Sequence, residues 1–469
     1  MKKNGLLMAL ALASLGTVAG AQTVTVAKTG TPDFATIQAA IDSFASDVDP
    51  APNVIQITDN ALYDEAILIT RGLTLEGTGP TRPILAVRTG TNPPLTDLND
   101  GLGIFFTTSG ETVTLRNLIV IPSTTTPPAD DLIRSNSAAS ITGISVVLDN
   151  ILVAPNNGSN QPVSDGNTAV DLTTVTGLVA IGDDGIFLSA ATGSGLTATL
   201  TNVVVTHNQT GSNADGLVAG SATGSVIIGD GCVFSYNGRL GIQANAGQTF
   251  RIDAPNQRVK VIGSRGFAGI WFAGAQSVER SINGLIVSDI VGNGNTTGWG
   301  IENQNRGTIG ATFSNIIISA CTMHGILIGN VGSGNTTINN VTIARNGRNA
   351  IQNSSGSAGD VTINDSILAG NGGTSADEIV NNAGTGTITV NFSALVNAGP
   401  QALNSALTAG AVTLNNVINA DPQFAEVTDF NSADFYKVNN LAYLTAGSAN
   451  TALRGGSTAI LSTRDWPMY

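Results

Sequence analysis

The chain of 469 residues carries 20 Lys and Arg against 33 Asp and Glu, a formal charge of -13 with a pI near 4.4. Only 11% of it is charged, where an ordinary soluble domain has about 25%, yet 42% is hydrophobic and 56 residues are glycine. That balance excludes a charged disordered tail and a helical bundle. The acidity argues against nucleic acid or an anionic membrane as partner, since neither phosphate neutralisation nor a polybasic patch is available. An acidic polysaccharide would also be repelled, unless a local Arg or a bridging cation overcame the field.

In chain order, Lys2 and Lys3, the apolar run GLLMALALASLG and Ala19-Gly20-Ala21 before Gln22 read as a signal peptide over residues 1–21. A secreted or periplasmic product is expected. No later window is apolar enough for a spanning helix. Next comes TVTVAKTGTPDFATIQAAIDSF, a strand followed by a short helix. Phe34, Ile37, Ile41 and Phe44 share one face of it, and Asp33 or Thr31 is placed to cap its start. The segments NVIQIT, ALYDEAILIT and GLTLEGTG follow as strands.

From residue 110 onward one pattern recurs: an apolar residue, any residue, Asn, then alternating apolar residues. Its members centre on Asn117, Asn150, Asn202, Asn315, Asn340, Asp365, Asn391 and Asn416, and the last four intervals from Asn315 are 25, 25, 26 and 25 residues. Asp230 and Gly284 fall where further members are expected. The 52-residue step from Asn150 to Asn202 fits two ordinary coils. A second series, half a coil away, aligns Gly185, Gly216, Gly241, Gly269, Gly300, Gly325 and Ala350 at steps of 25 to 31 residues. Two series in step, built of short Val/Ile/Thr-rich strands with no helical period between them, predict an all-β solenoid: a right-handed parallel β-helix of about a dozen coils.

That architecture explains the composition. Parallel coils set each residue about 4.8 Å from its equivalent in the next coil, where like charges repel. Asn tolerates the left-handed backbone of a tight turn, and its amide both donates and accepts along a stack. Gly is expected to supply positive φ at the other corners.

The opening, a strand and then a short helix, resembles that of secreted right-handed parallel β-helix proteins of the pectin-lyase-like superfamily, pectin methylesterases especially, in which such a helix plugs the N-terminal end of the coils. The resemblance implies an N-terminal cap over residues 22–79 and a β-helix over 22–420. ALYDEA, with Tyr63 and Glu65, resembles the esterases' G-x-Y-x-E segment with Ala61 in place of Gly. Their later catalytic segments, and the Trp-x-Asp-His of pectate lyases, are not found. The segment 421–469, beginning DPQF, resembles the closing cap of secreted β-helix surface proteins.

Departures from low charge mark candidate chemistry. Asp183, Asp184, Asp215 and Arg239 fall at one edge on three consecutive coils, so Asp184 and Asp215 are expected one coil apart, a spacing suited to acid/base work or a shared cation. GDDGI and NADGL resemble polygalacturonase segments, and MHGILIG resembles their Gly-His-Gly. The order differs, however, because His324 lies four coils beyond Asp215, near 19 Å, out of direct reach. Along the same face Gln243, Trp271 and Glu302 should point outward, with Trp299 at the preceding corner and indoles suited to stacking on sugar rings. The expectation is therefore a polysaccharide or cell-surface glycan as partner, bound by Gln243, Trp271, Trp299, Glu302 and His324. Cleavage of lyase or hydrolase type would fall to Asp183, Asp184, Asp215 and Arg239. No cofactor is required, although Ca²⁺ is a candidate bridge. The alternative is a non-catalytic surface or matrix spacer. Cys232 and Cys321, three coils apart, are expected to stay unpaired.

Overall fold

The computed structural model describes residues 22–44, 53–89, 103–135, 143–190, 194–208, 213–220, 223–245, 247–274, 278–294, 296–354, 358–372, 378–382, 385–396 and 412–417. The signal segment 1–21 and the closing segment 421–469 lie outside them.

The molecule is a parallel β-helix. Every strand pairing resolved between named strands is parallel, and each coil contributes three short strands that stack into columns. The first two columns meet at the Asn turn and form one continuous sheet; the third is an 11-stranded sheet running from Ile67–Ile69 to Ile379–Asn381. The strands alternate because the solenoid has one dry side: Ile282, Phe313, Ile338 and Ile363, one per coil in register, all point inward and are buried. Aromatic rings meet within the core as well, Phe250 edge-on to Phe272 at 5.4 Å and Phe272 stacked on Phe313 at 6.3 Å.

The turn between the first two columns needs a left-handed residue, and Asn117, Asn150, Asn202, Asn315, Asn340 and Asn416 supply it at φ 52–55°, as does Asp365 at 49°. Their amides also join up. Asn150 Nδ2 donates to Asn117 Oδ1 at 2.9 Å, and Asn340 Nδ2 to Asn315 Oδ1 at 2.6 Å. Two expected members sit one residue off. Gly231 (φ 74°), not Asp230, takes the turn, and Phe392 (φ 47°) rather than Asn391. Asp230 instead accepts the backbone N–H of Asn256 and Gln257. Asn391 belongs to a parallel ladder one residue upstream, where amides link Asn339, Asn364, Asn391 and Asn415 at 2.8–2.9 Å.

Three further expectations are corrected. Leu152 pairs directly with Val204, so the 52-residue step is one coil with a long excursion over 154–181. His207 anchors that excursion: its Nε2 accepts the N–H of Val170 at 2.9 Å, and burial lowers its pKa to about 4, leaving the ring a neutral acceptor. The second glycine series is in register as expected, but not for positive φ. A Cβ on Gly216 would meet Asn237 Nδ2 and Gly241 O at 2.6 Å, so close packing of the corner excludes a side chain there. The helix Ile37–Ser43 buries Ile37, Ala40 and Ile41, yet its N-cap is Thr36, because Asp33 is spent on Thr25.

Cys232 and Cys321 are buried free thiols. Tyr63 and Glu65, the residues of the esterase-like segment, are structural. The Tyr63 hydroxyl donates to Asp59 at 2.7 Å, and the buried Glu65 carboxylate accepts the N–H groups of Ile37 and Gln38 at 3.1 and 3.0 Å, closing the helix N-terminus. Glu65→Ala orphans both donors and is expected to destabilise the cap by about 1–3 kcal/mol, read as a lower urea midpoint. An unchanged midpoint would refute the capping role.

Candidate functional site

Register fixes which side chains of the third sheet face outward. They run Arg134, Phe187, Val218, Gln243, Trp271, Glu302, Leu327 and Gln352, one per coil. Gln243, Trp271 and Glu302 therefore stand on the outer positions expected of them, and Trp299 opens its strand at the corner beside them. The face has two chemically different ends.

At the acidic end the structure brings Asp183, Asp184, Asp215 and Arg239 together, and adds Asp130, Asp131 and Arg134. Asp131, Asp184 and Asp215 form a stack in which Asp131 Oδ1 accepts the N–H of Asp184 at 3.0 Å and Asp184 Oδ1 that of Asp215 at 3.1 Å. Arg239 ends the stack with a two-pronged grip on Asp215, Nε to Oδ1 at 2.8 Å and Nη2 to Oδ2. It also donates to Asn213 Oδ1 at 2.9 Å and Gln243 Oε1 at 2.7 Å. Arg134 donates to Asp130 and Asp131 and lies 4.7 Å over the Phe187 ring.

Burial decides what these carboxyls can do. Asp131, Asp184 and Asp215 are 1%, 3% and 0% exposed, whereas Asp183 and Arg239 keep contact with solvent. The expected spacing of Asp184 and Asp215 holds, but both are turned into the stack and committed to backbone. Burial first, then the charge of Asp130, pushes Asp131 up to about 8, with Arg134 opposing. Burial and the charge of Asp215 raise Asp184, and burial raises Asp215 against the pull of Arg239. Asp131 and Asp184 therefore hold protons at neutral pH, while Arg239 keeps Asp215 an anion. Carboxyl oxygens of Asp130, Asp131 and Asp183 lie within 4.8 Å of one another and could hold a divalent cation, a place where the Arg134 guanidinium already binds two of the three. Asp130 and Asp131 escaped the sequence reading because the excursion breaks the period. The Asp-Asp doublet of ADDLIRS, repeated in GDDGI, was the available signal.

At the other end Phe267 meets both indoles edge-on, Trp271 and Trp299 each at 5.1 Å. Both Trp are half-buried, and both Nε1 atoms lack a hydrogen-bond partner. Glu302, beside Trp271 in the next coil, is 3% exposed, and burial pushes it up to about 7. Its Oε2 is unpartnered, as is Nδ1 of His324. His324 lies one coil beyond Trp299, where its carbonyl accepts the N–H of Gly300. Burial, with the charge of Arg348, lowers the imidazole to about 4 and keeps it neutral.

Taken together, the chain is a parallel β-helix protein with one chemically differentiated outer face. No protein-family model matches it, and no curated protein matches it by sequence. Among solved structures it is similar to the A-module of the Azotobacter vinelandii mannuronan C-5 epimerase AlgE4, with 13% identity, TM-score 0.42, and coverage of 82% of this chain and 93% of that one. It is also similar to the periplasmic alginate epimerase AlgG (11%, 0.37, 86% and 84%) and to the receptor-binding domain of the Siphovirus 9NA tailspike (11%, 0.33, 87% and 77%).

A carboxyl whose pKa is raised in the folded state binds its proton more tightly there than in the unfolded chain. Its contribution is complete below the unfolded value near 4 and is lost as pH rises through the folded one. Wild type should therefore lose thermal stability as pH rises from about 4 through about 8, and Asp131→Asn should flatten that slope. Parallel pH profiles for the two proteins would refute the protonated stack.

Proposed function

We propose that this is an exported β-helix protein that binds an extracellular polysaccharide along the outer face of its third sheet, from Asp183 to Glu302. The observation that carries the reading is the Phe267, Trp271 and Trp299 cluster, partly open to solvent on a face whose neighbouring outward residues, Gln243 and Glu302, are polar. Half-buried indoles held by an edge-on partner are rigid stacking platforms, with little entropy to lose when a sugar ring covers them. The long, shallow face of a solenoid suits an extended chain, and consecutive coils about 4.8 Å apart offer it successive contacts.

Cleavage is the finer part of the proposal. On the acidic end Asp183 and Arg239 are the groups that meet solvent and would act on a bound chain, with Asp184 and Asp215 as positioning residues behind them. Ca²⁺, where it takes part, would be held by Asp130, Asp131 and Asp183. The competing reading is a stiff surface or matrix spacer, favoured by the dominance of stacking contacts over reactive ones.

Affinity electrophoresis of the exported protein through gels containing a panel of polysaccharides separates the two. Retardation by at least one polysaccharide is expected, and Trp271→Ala should weaken it about tenfold, equivalent to about 1.4 kcal/mol, with an unchanged circular-dichroism spectrum and melting curve. If no polysaccharide retards the protein, the spacer reading stands.

A further inference from the structure

The aromatic end leaves polar atoms without partners in three consecutive coils: Nε1 of Trp271, Nε1 of Trp299 with Oε2 of Glu302, and Nδ1 of His324. Glu302 and His324 are each 3% exposed. Buried polar groups are ordinarily satisfied, and one that is not loses its hydration without a replacement. Several on one face, beside a stacking platform, describe a ligand by what they lack. The two indole N–H groups need acceptors. A carboxyl and a neutral imidazole nitrogen need groups that donate or accept as required. Sugar hydroxyls do both.

The same face says which sugars. Arg134 is bound to Asp130 and Asp131, and Arg239 to both oxygens of Asp215. Neither guanidinium can turn to a uronate or sulfate without abandoning a buried aspartate, Asp131 or Asp215. Arg348 stands at the same corner as Trp299 and His324, one coil past the latter, and its charge is directed at that imidazole. The outward position beside Trp271 is itself a carboxyl, Glu302, and the whole chain is acidic. We infer that the subsite formed by Trp271, Trp299, Glu302 and His324 takes an uncharged sugar unit through its hydroxyls, so that the partner is a neutral glycan. This rests on the binding reading above and narrows it.

The test compares wild type, Trp271→Ala, Trp299→Ala and Glu302→Gln by affinity electrophoresis and calorimetry at pH 7 in 0.15 M salt. The probes are a neutral panel (a mixed-linkage β-glucan, a galactomannan and dextran) and an acidic pair (polygalacturonate and alginate). Expected is binding to at least one neutral polysaccharide and none to the acidic pair. Either Trp→Ala change should weaken binding about tenfold or more, and Glu302→Gln should do so less than tenfold, because the amide keeps both donor and acceptor. Binding of the acidic pair alone, lost in Trp271→Ala, would overturn the neutral class while leaving the glycan face intact. Neutral binding that survives both Trp changes would overturn the subsite. Failure of every polysaccharide to bind would defeat the binding reading itself. Unchanged melting curves in the variants exclude misfolding as the cause of a loss.

Discussion

Stacking of like on like, one coil every 4.8 Å or so, is the constraint from which most of this structure follows. A residue type that attracts its own copy is rewarded at every coil, and one that repels its copy is penalised at every coil. Asparagine is of the first kind, and the protein carries two amide ladders on adjacent residues of the same turn. Charge is of the second kind. Where it occurs in register it alternates: Arg116 lies between Glu76 on one coil and Asp149 on the next, at 3.7 and 3.1 Å. Where it cannot alternate, as in Asp131, Asp184 and Asp215, the first two carboxyls keep protons and the third ends the stack on an arginine.

The same constraint governs how much could be read from the sequence. A turn that always uses Asn or its equivalent prints a period, and Asn315, Asn340 and Asp365 were legible for that reason. The structure has a second column of left-handed residues at the far end of the middle strand, formed by His207, Tyr236, Gly263, Asp289, Ala320, Arg345 and Gly370 at φ 53–67°. Six residue types in seven coils print nothing. At that corner the requirement is met by backbone geometry, while stacking falls to the residue before, where Thr206 meets Ser235 at 2.9 Å and Ser288 meets Ser319 at 3.0 Å. Gly231 standing in for Asp230 and Phe392 for Asn391 are the same lesson at single positions, since a motif match can be one residue out when two neighbouring residues both stack.

The site was legible as a face and less so as a set of roles. Alternation places Gln243, Trp271 and Glu302 outward with no knowledge of packing, because one residue in two must point that way. Burial depends on what lies over the face, and local sequence does not encode it. Asp184 and Asp215 were found by their cost, as charges in a chain that avoids charge, and the structure shows how that cost is met: each carboxylate is bound to the backbone of the next coil or to Arg239. Their partner Asp131 was hidden because an excursion of nearly thirty residues separates neighbours in space by 53 positions in sequence.

The two ends of the face consequently divide the work. At the acidic end the charged groups are engaged with one another: Asp184 and Asp215 are closed and Arg239 and Arg134 grip carboxyls, although Arg134 Nε and Asn208 Oδ1 lack partners. At the aromatic end the interactions are left open, with two indole N–H groups, a carboxyl oxygen and an imidazole nitrogen lacking partners around a ring cluster that the rest of the structure keeps rigid. Unpartnered buried polar atoms occur elsewhere too, Arg258 Nε and Thr336 Oγ1 among them; what sets this group apart is the half-buried ring cluster beside it. Hydroxyl-bearing rings, apolar on the face and polar around the rim, match both halves of that arrangement.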